Sequence, residues 1–194
     1  MRGTDSRSCN RVLLHFAIAL LLIPAIGFAE LQPKLQPKID PMDLAARIHA
    51  LVNEERAKQK LPALAWNDRL ATIAGKHSGD MAERHYVAHD SPEGRRFTDR
   101  YRAGGFECGI RVGNTIYTGA ENIALNHLYN SVTIVNGRRI YHWNSADTIA
   151  RRAVTNWMNS PGHRRNILTP HWKNEGIGVT IAPDNKVYVT QNFC

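Results

Sequence analysis

Near the C-terminus, GIGVTIA at residues 176–182 and KVYVTQNF at 186–193 flank Pro183-Asp184-Asn185. A short loop between two runs that alternate in hydrophobicity is the mark of an antiparallel pair of strands. Ile177, Val179 and Ile181 fall on one face of the first strand, and Val187 and Val189 on the matching face of the second. An apolar sheet face must be covered, so the segments that precede this pair have to supply helices.

They do. Asp40-Pro41 joins an N-cap residue to a proline at the first helical position, and Leu44, Ile48, Leu51 and Val52 follow at helical spacing, which predicts a helix to about Gln59. Leu70, Ala74, His77 and Met81 share a face of a second helix of about four turns, with His77 a partly buried helix residue. A third helix is predicted from near Asp147, turning Ile149, Ala150, Ala153, Val154 and Trp157 inward. It ends at Ser160-Pro161-Gly162, because proline lacks the amide hydrogen and disfavours helical geometry in the residue before it; a sharp Gly162 turn then presents His163. Between His85 and Glu107 the periodicity fails and turn residues predominate, which predicts a long loop. VTIV-NG-RRIYHW at 132–143 reads as a hairpin with a type I′ turn. Met81, Trp66, Trp157 and Trp172 are candidate core or cleft-wall residues. The class is α+β, with a sheet covered by helices.

The N-terminal segment has a different purpose. Arg2, Arg7 and Arg11 precede the apolar run VLLHFAIALLLI, and Pro24 and Gly27-Phe28-Ala29 follow it, the layout of a secretory signal cleaved after Ala29. An uncleaved membrane anchor is the competing reading, although the run is short for a span. Residues 30–41 contain the tandem LQPKLQPK and read as an extended linker, which leaves 42–194 as the domain. The protein is therefore expected to be secreted or periplasmic, without a stable span after cleavage. Removing Arg2, Arg7, Arg11 and Asp5 leaves 22 Lys and Arg against 16 Asp and Glu, an excess that draws an exported protein to anionic envelope polymers. The arginines are scattered and no nucleic-acid motif accompanies them, so no nucleic-acid partner is expected.

Several words of the sequence occur together in a known order: LVNEERAKQKLPALAWNDRLATIAGKHSGDM at 51–81, HDSPEG at 89–94, GAENIA at 119–124, WMNSPGHRRNIL at 157–168 and GIGV at 176–179. In words and order the chain resembles the bacterial branch of the CAP superfamily (cysteine-rich secretory, antigen five, pathogenesis-related) from residue 42 to 193, with the hairpin around Asn136-Gly137 as an added piece. The resemblance implies a three-layer α-β-α sandwich with an antiparallel central sheet, and a cleft lined in the family by two histidines and two glutamates. His89, Glu121 and His163 match three of the four; the second glutamate would fall at or beside Ser160 and has no match. The candidate site is His89, Glu121 and His163 with Ser160 and Asn122; Gln191 and Asn192 can hydrogen-bond into it. Two imidazoles and a carboxylate can hold Zn²⁺ or another divalent metal in the His₂Glu manner, or Glu121 can instead orient a histidine from outside the metal's own ligands. The function the resemblance favours is a noncatalytic binding module for a lipid, sterol or envelope component, its partner an apolar or amphipathic molecule. The alternative is a secreted hydrolase that uses metal-bound water, or Ser160 assisted by His163.

Of three cysteines, Cys9 leaves with the signal, so Cys108 and Cys194 remain as the one intramolecular pair an oxidising compartment would form, against the alternative of two free thiols. Intact mass of the exported protein is expected to rise by two hydrogens on reduction; equal masses would establish free thiols.

Overall fold

The computed structural model describes residues 35–194, so the segment read as a secretory signal and the first part of the expected linker lie outside the described residues. Helix α1 (Pro41–Lys58) begins as its sequence predicts, with the Asp40 side chain accepting from the Met42 amide and Pro41 in the first turn. Its buried face is Leu44, Ala45, Ile48 and Val52. Arg56 is also fully buried there, and its guanidinium donates to the carbonyls of Pro62, Ile167 and Thr169, which ties α1 to distant backbone. Strand β1 (Ala65–Trp66) is short, and α2 (Asp68–Glu83) starts from the Asn67 cap.

Strands β2 (Ile110–Val112) and β3 (Thr115–Tyr117) form one small hairpin, and β5 (Tyr129–Val135) and β6 (Arg138–Trp143) form another. The second is the predicted hairpin: Asn136 and Gly137 have φ of 50° and 76°, the left-handed pair that a type I′ turn needs. The main sheet has four strands in the order β1-β7-β8-β4, where β4 is Ala120–His127, β7 is Asn174–Ile181 and β8 is Lys186–Phe193. It is antiparallel as expected except that β1 joins β7 in parallel over two residues.

The β7–β8 register sets Val179 opposite Val189 and Ile181 opposite Val187, the pairing their alternation predicts. This face carries Ile177, Val187, Val189 and Phe193 into one core with α1, α4 (Ala146–Asn159) and α5 (Pro161–Leu168). The other face packs on α2, where Tyr188 meets Met81 and the Ser78 hydroxyl donates to the Gly178 carbonyl. Helices on both faces make a three-layer α-β-α sandwich. The approach of α2 is close because β7 presents glycine to it: a Cβ on Gly178 would stand 2.0 Å from the Gly75 nitrogen.

Two expectations are corrected. The segment after His85 is not all loop, for α3 (Phe97–Ala103) forms inside it, with Tyr101 as its buried anchor. Seven residues with one buried side chain carry too little apolar periodicity to be seen in sequence. The Ser160-Pro161-Gly162 stretch is also not a turn leading out of helix. Pro161 ends α4 and opens α5, because a residue at the first helical position needs no amide hydrogen; Gly162 and His163 are helical.

Cys108, between α3 and β2, is disulfide-bonded to Cys194, with Cα atoms 5.6 Å apart. The bridge closes a loop of 86 residues and fastens the end of β8 beside the second core, formed by Leu70, Ile73 and Tyr101. In the chain-entropy account, a loop of this size is worth ~4 to 5 kcal/mol.

Gly178→Ala should cost roughly 1 to 3 kcal/mol in urea unfolding, since the new methyl meets helix backbone rather than a yielding side chain. Gly162→Ala, where the added Cβ meets nothing within 4 Å, should be neutral or stabilising by up to ~1 kcal/mol. A loss at Gly162 would restore the turn in place of α5.

Candidate functional site

The site lies at the β4 edge of the main sheet. Alternation along β4 sends neighbouring residues to opposite faces: Glu121 pairs across from Asn192 and Asn122 across from Gln191. Glu121 faces the side of α2 and α3, and Asn122 faces α5. GAENIA therefore supplies both halves of the site from adjacent positions.

The Glu121 side chain is fully buried, and both its oxygens are engaged. One accepts from His89 Nδ1 at 3.0 Å, and the other from Arg100 Nη2 at 2.6 Å. A buried carboxylate needs such partners, because leaving it unpaired would cost several kcal/mol. The bond to Glu121 also orients the His89 ring, with Nδ1 donating its hydrogen to the carboxylate. Arg100 further donates to the Arg95 carbonyl, so α3 anchors the loop beneath His89. Periodicity gave no signal for Arg100, which stands in the unpredicted helix.

The loop that carries His89 is held at several points. His77 Nε2 donates to the Ala88 carbonyl at 3.0 Å. Arg84 bridges Asp80 and Glu93, and Ser91 Oγ donates to Glu93. The guanidinium holds the Glu93 carboxyl down at about 2. In HDSPEG the serine, glutamate and glycine thus have structural work: the Gly94 amide closes a turn on the Ser91 carbonyl, with Gly94 at a φ of 78°. His77, expected to be partly buried, is only 1% exposed. Burial pushes its pKa below the usual histidine value, so the ring is neutral at pH 7 and its free Nδ1 is an unpartnered acceptor. It lines a cavity of about 210 Å³ with Ser91, Arg95 and Arg100.

His163 comes from the other layer. It sits in the first turn of α5, and its ring centroid is 6.2 Å from that of His89. Partial burial, and secondarily the nearby His89, lower its pKa. Asn122 locates the helix that carries it: its amide donates to the His163 carbonyl at 3.3 Å and to Gln191 Oε1 at 3.0 Å, and its oxygen accepts from Asn166. Asn166 also donates to the Glu121 carbonyl. Gln191 continues the network by donating to Glu175, a fully buried carboxylate that accepts from His49 Nδ1 at 2.5 Å. Asn166, Glu175 and His49 were not legible as site residues, because polar side chains at helical or strand spacing look like solvated positions until the sheet closes over them.

The trio expected from sequence is therefore brought together, while its neighbours take different roles. His89, Glu121 and His163 converge and Asn122 is the structural hub behind them. Ser160 lies at the joint of α4 and α5, where its side chain caps neither helix and makes no hydrogen bond to His163. Asn192 turns away from the cleft and donates to the Leu70 carbonyl. Among the described residues, no group of three or more His, Cys, Asp or Glu has the geometry to hold a metal ion.

A three-layer α-β-α sandwich whose sheet edge brings two histidines and a buried glutamate together defines a recognised class of domain. The chain belongs to the CAP, cysteine-rich secretory protein family, whose model matches residues 49–193. A curated relative, the uncharacterized membrane protein YlbC of Bacillus subtilis (strain 168), is 31% identical over 143 residues, which are 74% of this chain and 32% of that one. The uncharacterized protein YkwD of the same organism is 29% identical over 68% of this chain and 40% of its own length. The chain thus spans between about a third and two fifths of the length of these curated relatives. A solved extracellular protein containing a SCP domain, from Bacillus anthracis str. Ames, has a TM-score of 0.58 at 27% identity, covering 81% of this chain and 44% of that one. An outer surface protein of Borrelia burgdorferi shares the fold, with a TM-score of 0.58 at 18% identity over 82% and 97% of the two chains. Among the described residues, no helix is long and apolar enough to cross a membrane.

If the Glu121–Arg100 pair is what keeps the site assembled, Arg100→Met should destabilise the fold by roughly 3 to 5 kcal/mol by stranding a buried charge. Arg100→Met with Glu121→Gln should recover a good part of that loss, measured by chemical denaturation of both proteins and wild type. Equal losses in the single and double variants would show that the pair is not coupled.

Proposed function

We propose that this is an extracellular or periplasmic binding module for an apolar or amphipathic ligand of the cell envelope, without turnover of that ligand. The observation that carries the reading is the pairing of the buried Glu121 carboxylate with Arg100 and His89. Its oxygens serve Arg100 and His89, so it is not free to act as a base, and Ser160 has no hydrogen bond to His163 that would activate it. What the cleft offers is a pair of imidazole edges suited to hydrogen bonding with a polar headgroup. His89 and His163 would be the residues to hold a divalent metal, but two nitrogens fall short of the three protein ligands of a catalytic zinc site.

Support for the ligand class comes from a groove of about 280 Å³ between α1 and α2. It is lined mostly by apolar side chains, Met42, Ala45, Trp66, Ala71, Ile177 and Val179 among them, together with the polar Asp68 and Thr72. Gly75 also borders it, and a side chain there would meet nothing within 4 Å. Extracellular and outer surface relatives of the same fold support the location, as does the export signal read from residues 1–29.

The test is a displacement assay with a fluorescent fatty acid, run with mass spectrometry of lipids that co-purify with the exported protein and with acyl esters offered as substrates. Wild type should take up the probe saturably, leave the esters intact, and behave alike with zinc and with chelator. Gly75→Phe, which fills the groove, should weaken probe binding at least tenfold, and His163→Ala should weaken it only for ligands with a polar head. No probe uptake, or uptake unaffected by either variant, overturns the binding reading. Ester hydrolysis that vanishes in His163→Ala would replace it with a hydrolase.

A further inference from the structure

The β5–β6 hairpin is unlike the rest of the surface. Its two strands pair only with each other, and residues 130–139 are exposed without interruption. A two-stranded hairpin in water has few means of holding itself together, and one that also spends aliphatic side chains on solvent is unusual. Ile134 is 70% exposed, Val135 46% and Val132 38%. Ile134 and Val135 stand immediately before the Asn136-Gly137 turn, at the end farthest from the strand roots.

Charge tells what could cover them. The register places Ile134 opposite Arg139 and Val135 opposite Arg138, so each aliphatic side chain at the tip has a guanidinium across from it. From Asn122 to Ala146 the sequence contains no aspartate or glutamate. Neither arginine forms an ion pair among the described residues. Behind the tip, Tyr141 stacks on Trp143 with centroids 4.9 Å apart, and Tyr129 packs edge-on against Tyr141. Tyr141 lies opposite Val132, three residues from Val135, a distance of ~10 Å along a strand. Apolar groups inserted roughly 5 to 10 Å into a bilayer would thus bring this aromatic cluster to headgroup depth, where amphipathic rings are favoured, while the arginines reach the phosphates.

We propose that the β5–β6 hairpin docks on the surface of an anionic lipid bilayer, with Ile134 and Val135 inserted below the headgroups and Arg138 and Arg139 bound to lipid phosphate. Its independence from the cleft and groove makes the proposal separate from the reading of ligand binding. A second copy of the chain is a poorer occupant, because pairing two such tips places Arg138 and Arg139 against their own kind. A nucleic acid would leave the aliphatic tip in water.

The full chain is tested by hydrogen–deuterium exchange with vesicles of mixed phosphatidylglycerol and phosphatidylcholine, and with phosphatidylcholine alone. Amides of peptides spanning 129–143 should be protected by the anionic vesicles and not by the zwitterionic ones, and the protection should fade in high salt. This readout is local, so an apolar N-terminal run that also meets lipid does not imitate it. Arg138→Glu with Arg139→Glu should lower the local protection constant at least tenfold, since each arginine near an anionic surface is worth about fivefold and the reversed charge repels. Ile134→Asp with Val135→Asp should abolish protection while Arg138 and Arg139 remain. Unprotected hairpin amides in wild type, equal protection by both vesicle types, or protection that grows with protein concentration in the absence of vesicles would each overturn the proposal, the last by showing self-association. The wild-type arms decide even if a variant misfolds.

Discussion

Everything in the domain is referred to the register of three strands. β7 pairs with β8 so that Val179 meets Val189, and β8 pairs with β4 so that Asn192 meets Glu121 and Gln191 meets Asn122. A slip of one residue would turn every side chain to the opposite face. It would put Ile177, Val187 and Val189 against α2, which has come too close to accept them, and would move Gly176 and Gly178 to a face where α1 and α4 need bulk. The strand pattern and the distance of each helix layer therefore specify one another.

The same alternation makes the site. Glu121 is delivered to the layer of α2 and α3, where Arg100 and His89 meet it, and Asn122 is delivered to the layer of α5, where it holds the backbone of His163. Two histidines that belong to opposite layers become neighbours because the strand between them is at the edge of the sheet. The chain Asn166–Asn122–Gln191–Glu175–His49 then runs from this edge through the buried face. Polar groups closed inside a sandwich must satisfy each other, and a network of this kind rigidifies the cleft it borders.

The disulfide acts at the end of β8 that lies beside this site. Phe193 and Cys194 are buried, and the Cys194 carbonyl accepts from the amides of Lys173 and Asn174. With Cys194 bonded to Cys108, the last strand cannot peel from the sheet without drawing the segment between α3 and β2 with it. Tyr101 reinforces the joint, its hydroxyl donating to the Phe193 and Ala120 carbonyls.

Sequence by itself determined the long elements: α1 from its Asp40-Pro41 start, α2 and α4 from apolar spacing, the terminal strands from alternation, and the β5–β6 hairpin from Asn136-Gly137. These signals are local, set by backbone preference and by the period of side chains on one element. It also named His89, Glu121 and His163, though through likeness to a family rather than through spacing. Only the tertiary structure decided that Pro161 starts a helix rather than ending in a turn, that α3 exists, and that Arg100 belongs to the site. It alone gave Glu121 its partners, because a carboxylate's chemistry depends on which hydrogen-bond donors reach it after burial, and those come from segments 21 and 32 residues away. No period along the chain records a meeting of that kind; it is fixed when the two helix layers close over the sheet.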